Sequence, residues 1–150
     1  MDIQSFAELS ESNKWIALIR SCDWRAAVFL ADLLEHHKFH ATLGRGSLFM
    51  MTDGERLVSF CTVTQKDCID DDRLFPWIGF VFTVPAYRGQ RCSERVIAAA
   101  CAEAEKQGFD KVYLATDHVG LYEKYGFVYM ENRTDVYGEE SRIYYKKLRG

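Results

Sequence analysis

The sequence has no excess of positive charge and no long apolar run. Its formal net charge is −3, and no cluster of lysines and arginines stands out, so nucleic acid is not an expected partner. No apolar stretch reaches the length needed to cross a bilayer, and the first residues lack the basic and apolar regions of a signal peptide. We therefore expect a cytoplasmic protein with no membrane partner.

Paired cysteines and metal-ligand motifs are also lacking. The five cysteines are odd in number and contain no C-x-x-C pair, so we expect reduced thiols. His36 and His40 are four residues apart, but no third ligand is close in the sequence, and no metal site is predicted. The 150 residues are 48% hydrophobic, which indicates one domain spanning residues 1–150 with a core of useful size.

Hydrophobic periodicity predicts helices first, then strands, then a β-α-β unit. The Asp53-Gly54 pair indicates a hairpin turn, and Gly108 ends a long amphipathic helix. Because β-α-β crossovers are right-handed, the strands on either side of that helix should be parallel. The predicted helices lie at 13–20, 24–37 and 92–107, with a short one at Tyr122, and the predicted strands at 47–51, 56–64, 77–84, 111–115, 127–131 and 142–148.

The most informative segment is the loop from Val84 to Ser93, which joins a predicted strand to the long helix. The first main-chain N–H groups of a helix have no partner within the helix and lie at the positive end of its dipole. Such a helix start suits a pyrophosphate, and Arg88 and Arg91 would add positive charge there.

This loop resembles the acetyl-CoA pyrophosphate loop of the GNAT N-acetyltransferase superfamily. The family pattern is Arg or Gln, two residues, Gly, one residue, and then Gly or Ala. Arg88 matches the first position, and Tyr87-Arg88-Gly89 after Val84-Pro85 matches the usual lead-in, whereas Arg91 and Ser93 replace the two small residues.

A second segment, Leu121 to Phe127, resembles the carboxy-terminal signature of the same family, in which a tyrosine precedes Gly-Phe. The order and spacing of the two motifs make the resemblance specific, and it covers the chain from about Leu48 to the end. It implies a single-domain α/β GNAT-like fold, with a mixed twisted β-sheet flanked by helices.

The resemblance also implies an activity, the transfer of an acetyl group from acetyl-CoA to a primary amine by direct attack. In the family, two neighbouring strands splay apart and free main-chain groups that hold the pantetheine arm. The end of the 77–84 strand would supply these groups if the strand near Leu114 splays away. The strand end consists of Phe82, Thr83 and Val84, of which the resemblance implies Phe82 and Val84 for pantetheine. It implies Arg88, Gly89, Gln90, Arg91, Cys92 and Ser93 for pyrophosphate.

Tyr122 is the predicted general acid. Acetyl transfer releases a thiolate, which needs a proton, and a tyrosine with a pKa of about 10 keeps its proton at neutral pH. The alternative is that Tyr122 only packs between helix and sheet. Core packing is the expected role of Tyr125.

The sequence does not identify a general base as directly as it identifies Tyr122 as the acid. A primary amine is mostly charged at pH 7, so a base or a water chain should help to remove its proton. Many relatives use a glutamate on the strand before the loop, but Trp77-Ile78-Gly79 contains no carboxylate. The candidates are Asp117, His118 and the acidic loop Asp70–Asp72, which would also favour a cationic acceptor if it overhangs the site.

A second function stays open, a CoA-binding sensor or interaction module with little or no turnover. It is favoured if the replacement of small residues by Arg91 and Ser93 matters. The acceptor is expected to be a small-molecule or peptide amine that no motif identifies, and the sequence leaves open whether the chain forms a homodimer.

Overall fold

The computed structural model describes residues 1–148, which form one mixed sheet with helices on both faces. The strands are β1 (Asp2–Ser5), β2 (Gly46–Asp53), β3 (Arg56–Thr64), β4 (Trp77–Thr83), β5 (Lys111–Thr116), β6 (Val128–Thr134) and β7 (Glu140–Lys147). The helices are α1 (Ser12–Arg20), α2 (Arg25–Glu35), α3 (Phe39–Leu43) and α4 (Cys92–Lys106), with 3-10 helices at Phe6–Glu8, Pro85–Tyr87 and Tyr122–Tyr125. None of the helices within residues 1–148 is long and apolar enough to cross a membrane.

The seven strands are ordered β1-β2-β3-β4-β5-β7-β6, and β4 and β5 are the parallel pair. Helix α4 connects these two strands, which confirms the predicted β-α-β unit. All other neighbouring strands are antiparallel. The parallel ladder is short, because only Trp77 pairs with Tyr113 and Ile78 with Leu114.

The sheet has two differently covered faces. Helices α1 and α2 pack on one of them, the α1–α2 face, where Ile19, Leu30 and Phe60 are fully buried. Helix α4 packs on the other, the α4 face, where its apolar side meets Ile78 and Leu114. Successive side chains of a strand point to opposite faces, so β3 and β4 contribute residues to both cores.

Three local predictions differ from the structure. Strand β1 and helix α3 were not predicted, because segments of 4 and 5 residues are too short to show periodicity. The turn prediction was wrong by one residue: Asp53 pairs with Arg56, so Gly54 and Glu55 form the hairpin loop. Gly54 has φ +61°, and glycine tolerates this left-handed conformation at the first loop position without steric cost.

Candidate active site

A bulge in β4 opens the sheet next to β5. Phe80 has φ +48°, and the β3–β4 register shifts so that Phe60 pairs with Phe82 but Thr62 pairs with Gly79. An extra residue in one strand bends that strand and increases its twist. Beyond Ile78 and Leu114 the two parallel strands no longer pair, which confirms the expected splaying near Leu114.

Main-chain groups of β4 line this gap on alternate residues. The Val84 N–H donates to Val58 O at 2.9 Å, and Val84 O accepts from Tyr87 N at 2.9 Å, so both main-chain groups of Val84 are occupied. The N–H and C=O groups of successive residues point to alternate edges of an extended strand. Those of Phe82 point toward β3, as its pairing with Phe60 requires, so those of Thr83 and Val81 point toward the gap. Of the three strand-end residues, Thr83 is the one whose main chain faces the gap.

The loop after β4 places the start of α4 beside the same gap. Gly89 has φ +83°, and Arg91, the residue before the first helical position, has φ +59°. The left-handed conformation costs a non-glycine residue about 1 kcal/mol or more. The family pattern has a glycine at the position of Arg91, and glycine adopts this left-handed conformation without a steric cost. Arg91 adopts the same conformation with that cost.

The two arginines of the loop are in different situations. The Arg91 guanidinium pairs with the Glu94 carboxylate, with Nη2 and Oε2 3.0 Å apart. Arg88 is exposed, its Nε donates to Thr83 O at 3.0 Å, and its guanidinium lies 5.4 Å from the centre of the Phe82 ring. Within residues 1–148 the other N–H groups of Arg88 make no hydrogen bond or ion pair, so Arg88 is the freer of the two to bind a phosphate.

The other loop residues offer a phosphate their main-chain N–H groups more than their side chains. Cys92 is buried, and its thiol lies 3.7 Å from Tyr87 O, so a phosphate would meet its N–H and not its sulfur. The Ser93 hydroxyl hydrogen-bonds the Tyr125 hydroxyl at 2.8 Å. Tyr125 therefore links the helix start to the Tyr122 segment, a role beyond the predicted core packing. Gly89 and Gln90 are exposed.

Tyr122 is buried on the α4 face at the start of its 3-10 helix. Gly126 ends that helix with φ +91°, and Phe127 packs against Tyr122 with ring centres 6.1 Å apart. Burial first, and then the neighbouring Tyr125, raise the pKa of Tyr122 above its ordinary value. The phenol therefore stays protonated at neutral pH. Because a thiol has a pKa of about 8.5, full transfer to a free thiolate is uphill, so donation must accompany C–S cleavage.

The residues considered as bases have different surroundings. Asp117 and His118 are exposed, and the His118 ring lies edge-on to Tyr122 at 6.4 Å, beside the predicted acid. The Asp71 carboxylate is paired with Arg73 at 2.9 Å and Arg133 at 3.0 Å, and the hydrogen bond from Arg73 is the main reason that its pKa is lowered. Arginines thus neutralise Asp71, whereas Asp70 and Asp72 are exposed.

A carboxylate that the sequence did not single out lies against β4. A methyl group added at Gly79 would overlap Oδ1 of Asp67 and lie 3.1 Å from its Cγ and 3.2 Å from Thr62 Oγ1. Asp67 lies in the β3–β4 connection, residues 65–76, and therefore reaches β4 from outside the strand. The signal in the sequence was Gly79 itself, because glycine inside a strand often marks the close approach of another group.

An aromatic wall covers β4 on the α1–α2 face, on the same side as Phe60. The Trp24 ring stacks on Phe82 at 5.5 Å, and Phe29 stacks on Phe80 at 6.3 Å. Phe29 is 40% exposed, so part of this wall is open to solvent. An acceptor that approaches the gap from this face would meet aromatic rings.

The histidine pair forms no metal site. His36 follows the last residue of α2, whereas His40 lies in α3 and its Nδ1 is 3.1 Å from Gly44 O. Within residues 1–148 no group of three His, Cys, Asp or Glu side chains could hold a metal ion.

The sequence matches the model of the acetyltransferase (GNAT) family over residues 15–127. The chain belongs to this family. The match begins well before Leu48, where the resemblance of the motifs began, and includes most of α1 and all of α2. Among curated proteins, no sequence matches this chain.

Solved structures of the GNAT family share the fold. An aminoglycoside 6'-acetyltransferase type Ii has a TM-score of 0.74 at 16% identity, covering 100% of this chain and 99% of its own. The aminoglycoside 6'-N-acetyltransferase from Enterococcus faecium gives 0.73 at 15% identity, with 100% and 98% covered. A GNAT N-acetyltransferase from Escherichia coli, crystallised with CoA, gives 0.69 at 21% identity, with 98% and 81% covered. These similarities establish the GNAT fold of the chain.

Proposed function

We propose that this protein transfers an acetyl group from acetyl-CoA to a primary amine by direct attack of the amine nitrogen on the thioester. The observation that carries the proposal is the gap between β4 and β5, with the start of α4 at its edge and Tyr122 on the α4 face. A gap of this kind offers main-chain groups to an extended pantetheine arm, and the helix start offers N–H groups to a pyrophosphate.

The chemistry follows from these positions. The Val81 and Thr83 main chains face the gap, so their N–H groups can bind pantetheine and stabilise the negative charge that develops on the thioester oxygen. Tyr122 donates its proton toward sulfur as the C–S bond breaks. Arg88 and the N–H groups of residues 89–93 hold the pyrophosphate.

The acceptor side is the α1–α2 face. The open aromatic wall with Phe29 suits an acceptor that has an apolar surface beside its amine, and a ring face also attracts a cation. Aminoglycosides are the acceptors named for two of the structurally similar enzymes, and they enter the test as one class among several.

The test is thiol release from acetyl-CoA in the presence of single amines, namely kanamycin, spermidine, lysine, tryptamine and a peptide with a free amino terminus. Turnover with any of them, together with a product heavier by one acetyl group in mass spectrometry, supports the proposal. CoA binding in calorimetry without turnover of any amine would favour the second candidate, a CoA-binding module.

A further inference from the structure

We propose that Asp67 is the general base of the acetyl transfer, and that Gly79 lacks a side chain so that the Asp67 carboxylate can occupy that place beside β4. This inference rests on the proposed function. It assigns the base to the β3–β4 connection and not to a residue of β4.

The first support is the position of Gly79 in the sheet. It is the first β4 residue beyond the last β4–β5 pair, Ile78 with Leu114, and it directly precedes the bulge at Phe80. A group that replaces the Gly79 side chain therefore lies where the gap begins. The Asp67 carboxylate is such a group, because a methyl at Gly79 would overlap it.

The second support is the face on which the carboxylate lies. Thr62 is two residues from Phe60, so the two side chains share the α1–α2 face, and the missing Gly79 side chain would point to Thr62 Oγ1 at 3.2 Å. Tyr122 packs on the α4 face. A thioester held in the gap would thus have the acid on one face and Asp67 on the other, so the base and the acid would reach the reacting carbon from different sides of the sheet.

The third support is an unused hydroxyl at the same place. Thr62 is fully buried, and its Oγ1 is the single buried side-chain polar atom of the described residues that has no hydrogen-bond partner. Buried polar groups are normally paired. The unpaired Thr62 hydroxyl therefore adds a second polar group at the place beside Gly79 where the Asp67 carboxylate lies.

The surroundings raise the pKa of the Asp67 carboxylate above its ordinary value. Burial is the main cause that raises the pKa of Asp67, and hydrogen bonds from Cys68 oppose the shift. The groups that face Asp67 are the Thr62 hydroxyl, the Gly79 main chain and Cys68, whose thiol is in turn affected by Asp135. None of the ion pairs found within residues 1–148 involves Asp67.

The proposed step balances as follows. The acceptor ammonium gives one proton to the Asp67 carboxylate, and its nitrogen lone pair then forms the C–N bond to the thioester carbon. As the C–S bond breaks, the sulfur takes the Tyr122 proton, and the new amide nitrogen loses its second proton, which restores Tyr122. Asp67 releases its proton to solvent, so one proton is produced for each amine acetylated.

The experiment measures kcat/KM against pH for the wild type, Asp67→Asn and the control Asp110→Asn, with the fastest amine of the acceptor panel. Asp110 is exposed just before β5 and outside the candidate site, so its substitution removes an equal charge. A base must be deprotonated to act, and we expect wild-type activity to fall as the pH drops through the raised pKa of Asp67. Asp67→Asn should lower kcat about 10²-fold or more and remove this acidic limb. The CoA dissociation constant should not change, and Asp110→Asn should keep the wild-type kinetics.

Gly79→Ala tests the position separately, because its methyl group would push the carboxylate away without removing the charge. We expect it to lower kcat in the wild type but to have little further effect in Asp67→Asn. The assignment would be overturned if the losses of kcat in Gly79→Ala and Asp67→Asn added fully in the double variant. It would also be overturned if Asp67→Asn kept the wild-type kcat and the fall of activity at acidic pH. A wild type that binds CoA and acetylates no amine would instead overturn the proposed function, and the base with it.

Discussion

The two faces of the sheet carry their functional residues in different ways. On the α4 face, the loop from Val84 to Ser93 and the Tyr122 segment are continuous in sequence, and each holds its geometry through its own glycines or a left-handed residue. On the α1–α2 face, Asp67, Thr62 and Gly79 come from a connection and two strands. Local backbone requirements thus define the first group, whereas packing alone assembles the second.

Tyr122→Phe should have the largest effect on the α4 face. The phenyl ring keeps the packing against Phe127, but no proton reaches sulfur, so kcat should fall about 10²-fold with little change in CoA affinity. Steady-state kinetics and calorimetry on the same preparation measure the two quantities. The loss should be similar for every acceptor, because the leaving group is the same.

The matched control for this variant is Tyr125→Phe, which removes a hydroxyl from the same 3-10 helix and breaks the hydrogen bond to Ser93. It should leave kcat within about fivefold of the wild type, as expected for one lost hydrogen bond of about 1 kcal/mol. Wild-type activity in Tyr122→Phe would remove the hydroxyl from the mechanism and leave Tyr122 a packing residue.

Arg88→Glu should have an intermediate effect, confined to cofactor binding. Reversing the charge of the freer loop arginine should weaken CoA binding about tenfold, which corresponds to about 1.4 kcal/mol. Arg95→Glu makes the same charge change at an exposed position one turn into α4, and it should change the dissociation constant less than threefold. Equal weakening by both variants would indicate a general effect of charge and not a phosphate contact.

The smallest expected effect concerns Arg91, where backbone geometry and side-chain charge can be separated. Both Arg91→Gly and Arg91→Ala lose the Glu94 pair, but glycine adopts φ +59° freely, whereas alanine keeps the steric cost. Arg91→Gly should therefore be about 1 kcal/mol more stable than Arg91→Ala, or about 2–4 °C in melting temperature.

CoA affinity of Arg91→Gly should stay within threefold of the wild type, because Glu94 already occupies the guanidinium. A tenfold loss in calorimetry would show that Arg91 leaves Glu94 to bind a phosphate. Such a result would mean that both Arg88 and Arg91 bind the pyrophosphate, as the sequence suggested.

Much of the α4 face could be predicted from the sequence. The apolar spacing from Val96 to Ala104 predicted α4, and the Gly-Phe signature predicted the Tyr122 segment, because both patterns reflect contacts between residues close in the chain. The general base could not be found in this way. The sequence shows only that Trp77-Ile78-Gly79 contains no carboxylate, and it does not show what fills the space beside Gly79.

The sequence by itself determined helices α1, α2 and α4, the parallel β4–β5 unit, the loop at the start of α4 and the family resemblance, since these depend on periodicity, glycine placement and short motifs. Only the tertiary structure decided which groups meet at the gap. The bulge at Phe80 sets which main-chain groups of β4 face the gap. The Glu94 carboxylate pairs with the Arg91 guanidinium, and Asp67 contacts the position of Gly79 from 12 residues away in the chain. These outcomes depend on register and on close packing between distant segments, and neither is encoded in any one stretch of residues.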